Sequence, residues 1–93
     1  MAEKYILKLY IIGSNAASEL ALKNLREIIS HESNTIFELE VIDVRKYPQL
    51  AEDARVLAVP TLIKKLPKPI RKIIGDLSNK QKVLHSLDLI SQG

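Results

Sequence analysis

The chain has 93 residues, no cysteine, 14 lysine or arginine residues and 11 aspartate or glutamate residues, so its net charge is +3. This length predicts a single domain over residues 1–93, and the absence of cysteine excludes a disulfide framework, a thiolate metal site, a cysteine nucleophile and a redox dithiol. No apolar run reaches the ~20 residues of a membrane helix and the first residues do not form a secretory signal, so we expect a soluble cytoplasmic protein without a membrane partner.

The front half of the sequence predicts a strand, a helix and a second strand. Residues 4–12 are apolar on both faces, as in a central strand that is covered on both sides. Residues 18–30 have apolar side chains at helical spacing, and residues 36–44 alternate as in a strand with one polar face. Tyr5 and Tyr10 lie on opposite faces of the first strand. Two strands joined through a helix by short links predict a parallel pair.

The rear half begins with a predicted helix over residues 48–57, whose first residue is a proline. The apolar stripe of this helix consists of Leu50, Ala54 and Leu57. Residues 61–66 and 71–74 give two short strand signals, separated by a segment rich in proline. The rear half is ambiguous here, because its apolar residues also fit helical turns.

A final helix is predicted after these strands, with Ser78 or Asn79 as its N-cap. The apolar side chains of its buried face are Val83, Leu84, Leu87 and Ile90. The complete order is β-α-β-α-β-β-α, an α/β arrangement of the thioredoxin-like class. Pro60 stands where that fold usually has a cis proline, but no cysteine pair follows the first strand.

No group of residues in the sequence indicates a catalytic site, a metal or a cofactor. The two histidines, His31 and His85, are too far apart to indicate a metal centre. Asp43 lies near the end of the second strand, where α/β proteins often bind ligands. We interpret it as a polar cap, since no second catalytic group can be placed beside it. We therefore expect a protein that is not an enzyme.

Positive charge is concentrated in the rear half, which has eight basic and four acidic residues against six and seven in residues 1–47. The basic side chains around the two short strands are Lys64, Lys65, Lys68, Arg71 and Lys72. Charge alone leaves two interpretations open: a docking patch for an acidic partner, or a strand edge that lysines protect from aggregation. A nucleic-acid partner is disfavoured, because no aromatic side chains interleave with the lysines.

The sequence resembles the KaiB family of circadian-clock proteins over nearly its whole length. The motifs that carry the resemblance are YILKLY (5–10), VIDV (41–44), PQLAE (48–52), PTL (60–62), IIGDLSN (73–79) and VL–LDL (83–89). Each motif is short, but their joint order and spacing are specific to the family.

The resemblance implies a non-enzymatic regulator that binds the KaiC ATPase ring and modulates its phosphorylation state in circadian timing. KaiA, or the pathway of a SasA-type kinase, is the further partner that it suggests. A second interpretation is a partner of a KaiC homologue in stress adaptation or signalling, without a full KaiA-dependent clock. A stand-alone sensor domain of a kinase is a third.

The resemblance also implies a metamorphic fold, in which about residues 48–93 rearrange. The binding-competent form is thioredoxin-like, whereas the ground form is a tetramer or dimer in which helices followed by a strand replace the last two strands and helix. The implied partner-binding residues are Lys64, Lys65, Arg71 and Lys72. The residues implied to set the balance between the folds are Tyr5, Pro60, Pro67, Lys68, Pro69, Ser86 and Asp88. Ser86 replaces a glycine common in cyanobacterial members, which favours the final helix.

Overall fold

The computed structural model of the protein describes residues 3–89. The elements are β1 Glu3–Ile11, α1 Ala16–Ser30, β2 Thr35–Asp43, α2 Pro48–Asp53, β3 Thr61–Leu66, β4 Arg71–Ile74 and α3 Lys80–Ser86. This order confirms the prediction from the sequence. None of the helices within these residues is both long and apolar enough to cross a membrane.

The strands form one sheet in the order β2-β1-β3-β4. β1 is parallel to β2 and antiparallel to β3, and β3 is antiparallel to β4. β1 is therefore central, as its apolar residues on both faces predict. β2 and β4 form the two edges of the sheet.

The alternation of side chains along β1 divides the core between the two faces of the sheet. The larger cluster includes Tyr5, Leu7, Leu9, Leu25 and Leu87. The smaller cluster consists of Tyr10, Ile42 and Ile63, and the residues packed against it include Ala51 of α2 and Ala54 just after that helix. This arrangement confirms that Tyr5 and Tyr10 lie on opposite faces.

The start of α1 lies two residues before the predicted position because Asn15 is its N-cap. The Asn15 side chain accepts a hydrogen bond from Ser18 N at 3.0 Å. Ser18 is buried, and its Oγ accepts a hydrogen bond from Ile12 N at 3.0 Å. The side chain of Ser18 thus connects the helix to the end of β1.

The prediction that α2 extends to residue 57 is wrong, because the helix ends at Asp53. Arg55 takes the left-handed backbone conformation, with φ of 57°. Leu57 is 95% exposed and Leu50 is 44% exposed, so the predicted apolar stripe is also wrong at these two positions.

α3 is N-capped by Asn79, the second of the two predicted candidates, whose Oδ1 accepts a hydrogen bond from Lys82 N at 3.1 Å. Just before it, Asp76 Oδ1 accepts from Ser78 N at 3.0 Å. The hydrogen bonds from Ser78 hold the pKa of Asp76 below its usual value. Burial confirms Val83, Leu84 and Leu87 as the inner face. The remaining predicted residue, Ile90, lies outside the described residues.

Candidate functional site

The basic side chains around β3 and β4 do not form a single exposed patch. Lys64 is completely buried, whereas Lys65, Lys68, Arg71 and Lys72 are exposed. Cross-strand partners share a face of the sheet. Arg71 pairs with Lys64 on the face of the larger cluster, and Lys72 pairs with Ile63 on the face of α2. The predicted docking patch therefore needs correction at Lys64, whose charge points into the protein.

The buried Lys64 lies in a polar cluster with Tyr5 and Asp88, which we call the Lys64 cluster. Lys64 Nζ donates a hydrogen bond to Asp88 Oδ2 at 2.7 Å and lies 5.8 Å from the centroid of the Tyr5 ring. Tyr5 OH donates to Leu87 O at 2.7 Å. These contacts attach the chain just after α3 to β1 and β3.

Charge in the Lys64 cluster is balanced by one half-exposed carboxylate. The hydrogen bond from Lys64 holds the pKa of Asp88 below its usual value. Arg71 approaches the same carboxylate from the edge strand, with Nε 4.0 Å from Oδ2. Asp88 itself has a φ of 60°, in the left-handed region that aspartate tolerates better than most residues. The ion pair therefore holds a strained residue at the end of α3.

The structure brings together only two of the residues implied to set the fold balance, Tyr5 and Asp88. Ser86 is the last residue of α3 and is half-buried. The other four residues lie before β3 or in the β3–β4 connection, and they are Pro60, Pro67, Lys68 and Pro69. The peptide bond before Pro60 is cis, as the position predicts, and those before Pro67 and Pro69 are also cis.

Replacing Tyr5 with phenylalanine removes the hydrogen bond to Leu87 O and keeps the ring. We expect the free energy of unfolding to fall by about 1 kcal/mol at neutral pH. Urea unfolding followed by circular dichroism measures the loss. The matched control is Tyr47→Phe, at a side chain that is 56% exposed. An equal change in the two variants would contradict a stabilising role for the Tyr5 hydroxyl.

The same hydroxyl makes the fold sensitive to alkaline pH. Burial, with smaller contributions from nearby carboxylates, raises the pKa of Tyr5 to about 12, whereas a tyrosine in an unfolded chain has a pKa of about 10. The pKa of Tyr5 is higher in the folded protein than in the unfolded chain. The protonated hydroxyl therefore stabilises the fold fully below pH ~10, and this contribution is lost as the pH rises through the pKa of the folded protein. We expect the stability advantage of wild type over Tyr5→Phe to shrink in this range. A constant difference would contradict the burial of the hydroxyl.

An apolar groove of about 580 Å³ lies between α2 and the start of β3, and we call it the α2–β3 groove. Its apolar lining includes Val44, Pro48, Ala51, Val56, Leu57 and Val59. The sequence analysis missed this groove because it assigned residues 54–57 to a helix. The available signal was the run of apolar residues that continues up to Pro60.

Charged side chains border the α2–β3 groove. Glu52 and Arg55 are among its lining residues. Lys72 Nζ donates hydrogen bonds to Ala54 O at 2.8 Å and to Arg55 O at 3.3 Å. Of the basic residues that the sequence analysis singled out, Lys72 is thus bound to the segment that forms the groove.

Asp43 is the polar cap of the strand end that the sequence predicts. Its Oδ1 accepts a hydrogen bond from Arg45 N at 2.9 Å, and its Oδ2 accepts from Gly13 N at 3.3 Å. No three histidine or carboxylate residues between positions 3 and 89 come together as a metal site would require.

Comparison with known proteins identifies the family. The family model described as "KaiB domain" matches residues 8–89. The chain belongs to the KaiB family. It is 53% identical over 90 residues to the circadian clock oscillator protein KaiB of Trichodesmium erythraeum, covering 97% of this chain and 86% of that protein. The protein of the same name from Prochlorococcus marinus strain MIT 9312 is 56% identical over 86 residues, covering 92% and 82%.

Solved structures show that this KaiB-family chain has a thioredoxin-like fold. The N-terminal domain of Synechococcus elongatus SasA superposes with a TM-score of 0.76 at 23% identity, covering 100% of this chain and 90% of that one. Mitochondrial thioredoxin 3 of Saccharomyces cerevisiae superposes with a TM-score of 0.73 at 18% identity, covering 95% and 80%. At these identities the similarity concerns the fold alone.

Proposed function

We propose that the protein binds a KaiC-type ATPase ring and modulates its phosphorylation state in circadian timing, with no catalytic activity of its own. Family membership supports this proposal, because the matched relatives are named circadian clock oscillator proteins. The structural observation that carries it is the α2–β3 groove, an open apolar depression of about 580 Å³.

The groove has the composition of a protein-binding surface. Its lining is mostly apolar, and Leu57 within that lining is 95% exposed. Exposed apolar side chains that lie close together mark interaction sites. Glu52 and Arg55 provide the polar rim that such interfaces carry around an apolar centre. We therefore place the centre of the ring contact at Leu57.

Basic side chains on the edge of the sheet supply a second part of the proposed contact. Lys65, Lys68 and Arg71 are exposed and give this edge a positive charge, and we call these three residues the basic edge. An acidic surface on the ring is the complementary partner, since opposite charges at a rim guide association. We do not include Lys64 in this contact, because its ammonium group is paired with Asp88 inside the protein.

We further propose that about residues 48–93 form one of two competing arrangements and that the ring captures the thioredoxin-like one. In the other arrangement the chain is a tetramer or dimer. A ring shifts this equilibrium only through its higher affinity for one state. The contacts around Lys64 support the proposal, because they involve both halves of the chain and depend on where α3 ends.

A KaiC homologue outside a KaiA-dependent clock, in stress adaptation or signalling, is the second candidate partner. The β2 edge bears on this alternative, because its exposed charged side chains are Glu38, paired with Lys4 at 3.9 Å, and Glu40, paired with Lys8 at 3.4 Å. The family resemblance implies alanine and lysine at these two positions in cyanobacterial members, so at position 40 this chain carries the opposite charge. Adding KaiA to the ring complex distinguishes the candidates, since ternary binding supports the clock and its absence supports the second role.

Charge reversal at the basic edge tests the ring contact. We expect Lys65→Glu/Arg71→Glu to weaken binding to a purified KaiC-type ring by about tenfold, because rim charges act mainly on association. Sedimentation in the presence of ATP measures the complex. The matched control is Lys23→Glu/Arg26→Glu on the exposed side of α1. Equal binding by both double variants would reject the basic edge, and no complex with the wild type would reject the ring.

A further inference from the structure

The segment after α2 contains an unusual helix end. Arg55 N donates to Glu52 O at 3.0 Å, and Val56 N donates to Ala51 O at 2.9 Å. This pair of hydrogen bonds is the Schellman motif, in which the residue in the left-handed conformation is usually glycine. Here that residue is Arg55, with φ of 57°. The side chain strains the backbone at this position, so the turn needs support from elsewhere.

Lys72 of β4 provides that support. Its ammonium group donates to Ala54 O at 2.8 Å and to Arg55 O at 3.3 Å. The last carbonyl groups of a helix lack partners within the helix, and a cation at this end also interacts favourably with the helix dipole. A charged donor makes such hydrogen bonds stronger than a neutral one does.

The register of the sheet places Lys72 beside α2. Lys72 lies opposite Ile63 in the β3–β4 pair. Ile63 belongs to the smaller core cluster, against which Ala51 and Ala54 pack. The contact between Lys72 and the helix end therefore exists only while β4 is paired with β3 in this register. One wall of the α2–β3 groove consists of residues 56–59, which directly follow the supported turn.

We infer that Lys72 is a positioning residue of the α2–β3 groove, which couples formation of the groove to pairing of β4 with β3. The ammonium group shapes the groove through the backbone of Ala54 and Arg55, and its effect on a partner is indirect. The ring-binding consequence rests on the proposed function, whereas the effect on the groove belongs to the protein alone. A partner seated in the groove thus favours the arrangement of the rear half in which Lys72 reaches α2.

Hydrogen exchange of the isolated protein tests the effect on the groove. In Lys72→Met we expect the amides of Arg55 and Val56 to exchange about tenfold faster, because their turn loses its charged support. The Leu7 amide in β1 is the internal reference and keeps its rate. Lys72→Arg retains a cation and is expected to restore most of the protection. Unchanged exchange at Arg55 and Val56 in Lys72→Met would overturn the inference.

A second variant separates support of the turn from general unfolding. Arg55→Gly removes the strain of the left-handed residue, so adding it to Lys72→Met is expected to recover protection at Val56. If Lys72→Met speeds exchange at Leu7 as much as at Val56, the lysine stabilises the whole fold and the inference is overturned.

The affinity for the ring gives the remaining measurement, with Lys23→Met on α1 as the matched control at an exposed lysine outside the proposed contact. We expect Lys72→Met to lower the affinity for a purified KaiC-type ring by about tenfold and Lys72→Arg to restore it. A loss of affinity without faster exchange would mean that Lys72 touches the partner directly, which overturns the inference. If the wild type does not bind the ring but exchange responds as expected, the proposed function fails and the positioning role stands.

Discussion

Replacing Asp88 with asparagine, which also tolerates the left-handed backbone of this position, is expected to lower the melting temperature of the protein by roughly 10 °C, whereas Lys64→Met is expected to change it little. The difference arises from burial, because the Lys64 side chain is 0% exposed and the Asp88 side chain is 46% exposed. Without Asp88 the ammonium group stays inside the protein and loses its carboxylate partner at 2.7 Å. Without the ammonium group, Asp88 turns towards water.

The double variant completes this test. We expect Lys64→Met/Asp88→Asn to recover most of the loss caused by Asp88→Asn, because an apolar side chain of similar length replaces the buried charge. Thermal unfolding followed by circular dichroism measures all four proteins. Equal and additive losses in the two single variants would contradict the buried ion pair.

The same pair gives the fold an acid-sensitive component. The hydrogen bond from Lys64 lowers the pKa of Asp88 in the folded protein. The pKa of Asp88 is lower in the folded protein than in the unfolded chain. The ion pair therefore stabilises the fold above the ordinary aspartate pKa of about 4, and this contribution is lost as the pH falls through the pKa of the folded protein. The wild type is therefore expected to lose more stability in acid than Lys64→Met. The depressed pKa of Asp76 is common to both proteins and cancels in the comparison.

Replacing Leu57 with serine is expected to weaken binding to a KaiC-type ring by roughly thirtyfold, the size of effect seen at the centre of an interface. The side chain is 95% exposed in the free protein, so its truncation leaves the core unchanged and the melting temperature is expected to stay within error. Isothermal titration calorimetry measures the affinity. The matched control is Leu20→Ser on α1, where the side chain is 41% exposed.

The two leucine variants locate the contact. A loss of affinity confined to Leu57→Ser places the apolar centre of the interface at the α2–β3 groove. Equal effects in both variants, or no effect in either, would contradict a contact at the groove and leave the basic edge as the remaining candidate.

The order of the elements was predictable because the strong periodic signals in the sequence agree with the tertiary structure. The apolar residues of β1 on both faces and the alternation in β2 predict a central strand and its parallel neighbour. The sequence marks the start of α2 more clearly than the start of α1. Pro48 marks the start of α2 directly, whereas Asn15, the true cap of α1, stands in a loop that offers several polar candidates.

The burial of Lys64 was only partly predictable. Strand alternation over residues 61–66 places Lys64 on the same face as Leu62, so the sequence contains a signal that this lysine points inward. Its partner Asp88 lies 24 residues later, just after α3. A pairing over such a distance is fixed by the tertiary packing of the rear half, which local sequence patterns do not determine.

The end of α2 was not predictable from local propensity. Residues 54–57 are good or acceptable helix formers, and the glycine that usually marks a left-handed helix end is absent. The helix ends at Asp53 because Arg55 takes that conformation, and Lys72 from β4 binds the exposed carbonyl groups. The α2–β3 groove depends on this long-range contact, so it was also hidden from the sequence.

The proposed capture of the thioredoxin-like arrangement by an ATPase ring is tested most directly by methyl NMR of the protein bound to a purified KaiC-type ring. Leu62 and Ile73 lie opposite each other in the β3–β4 pair and are both buried in the larger cluster. We expect a nuclear Overhauser cross-peak between their methyl groups in the ring-bound protein. A saturated complex in which Leu62 and Ile73 give no such cross-peak would contradict the proposal.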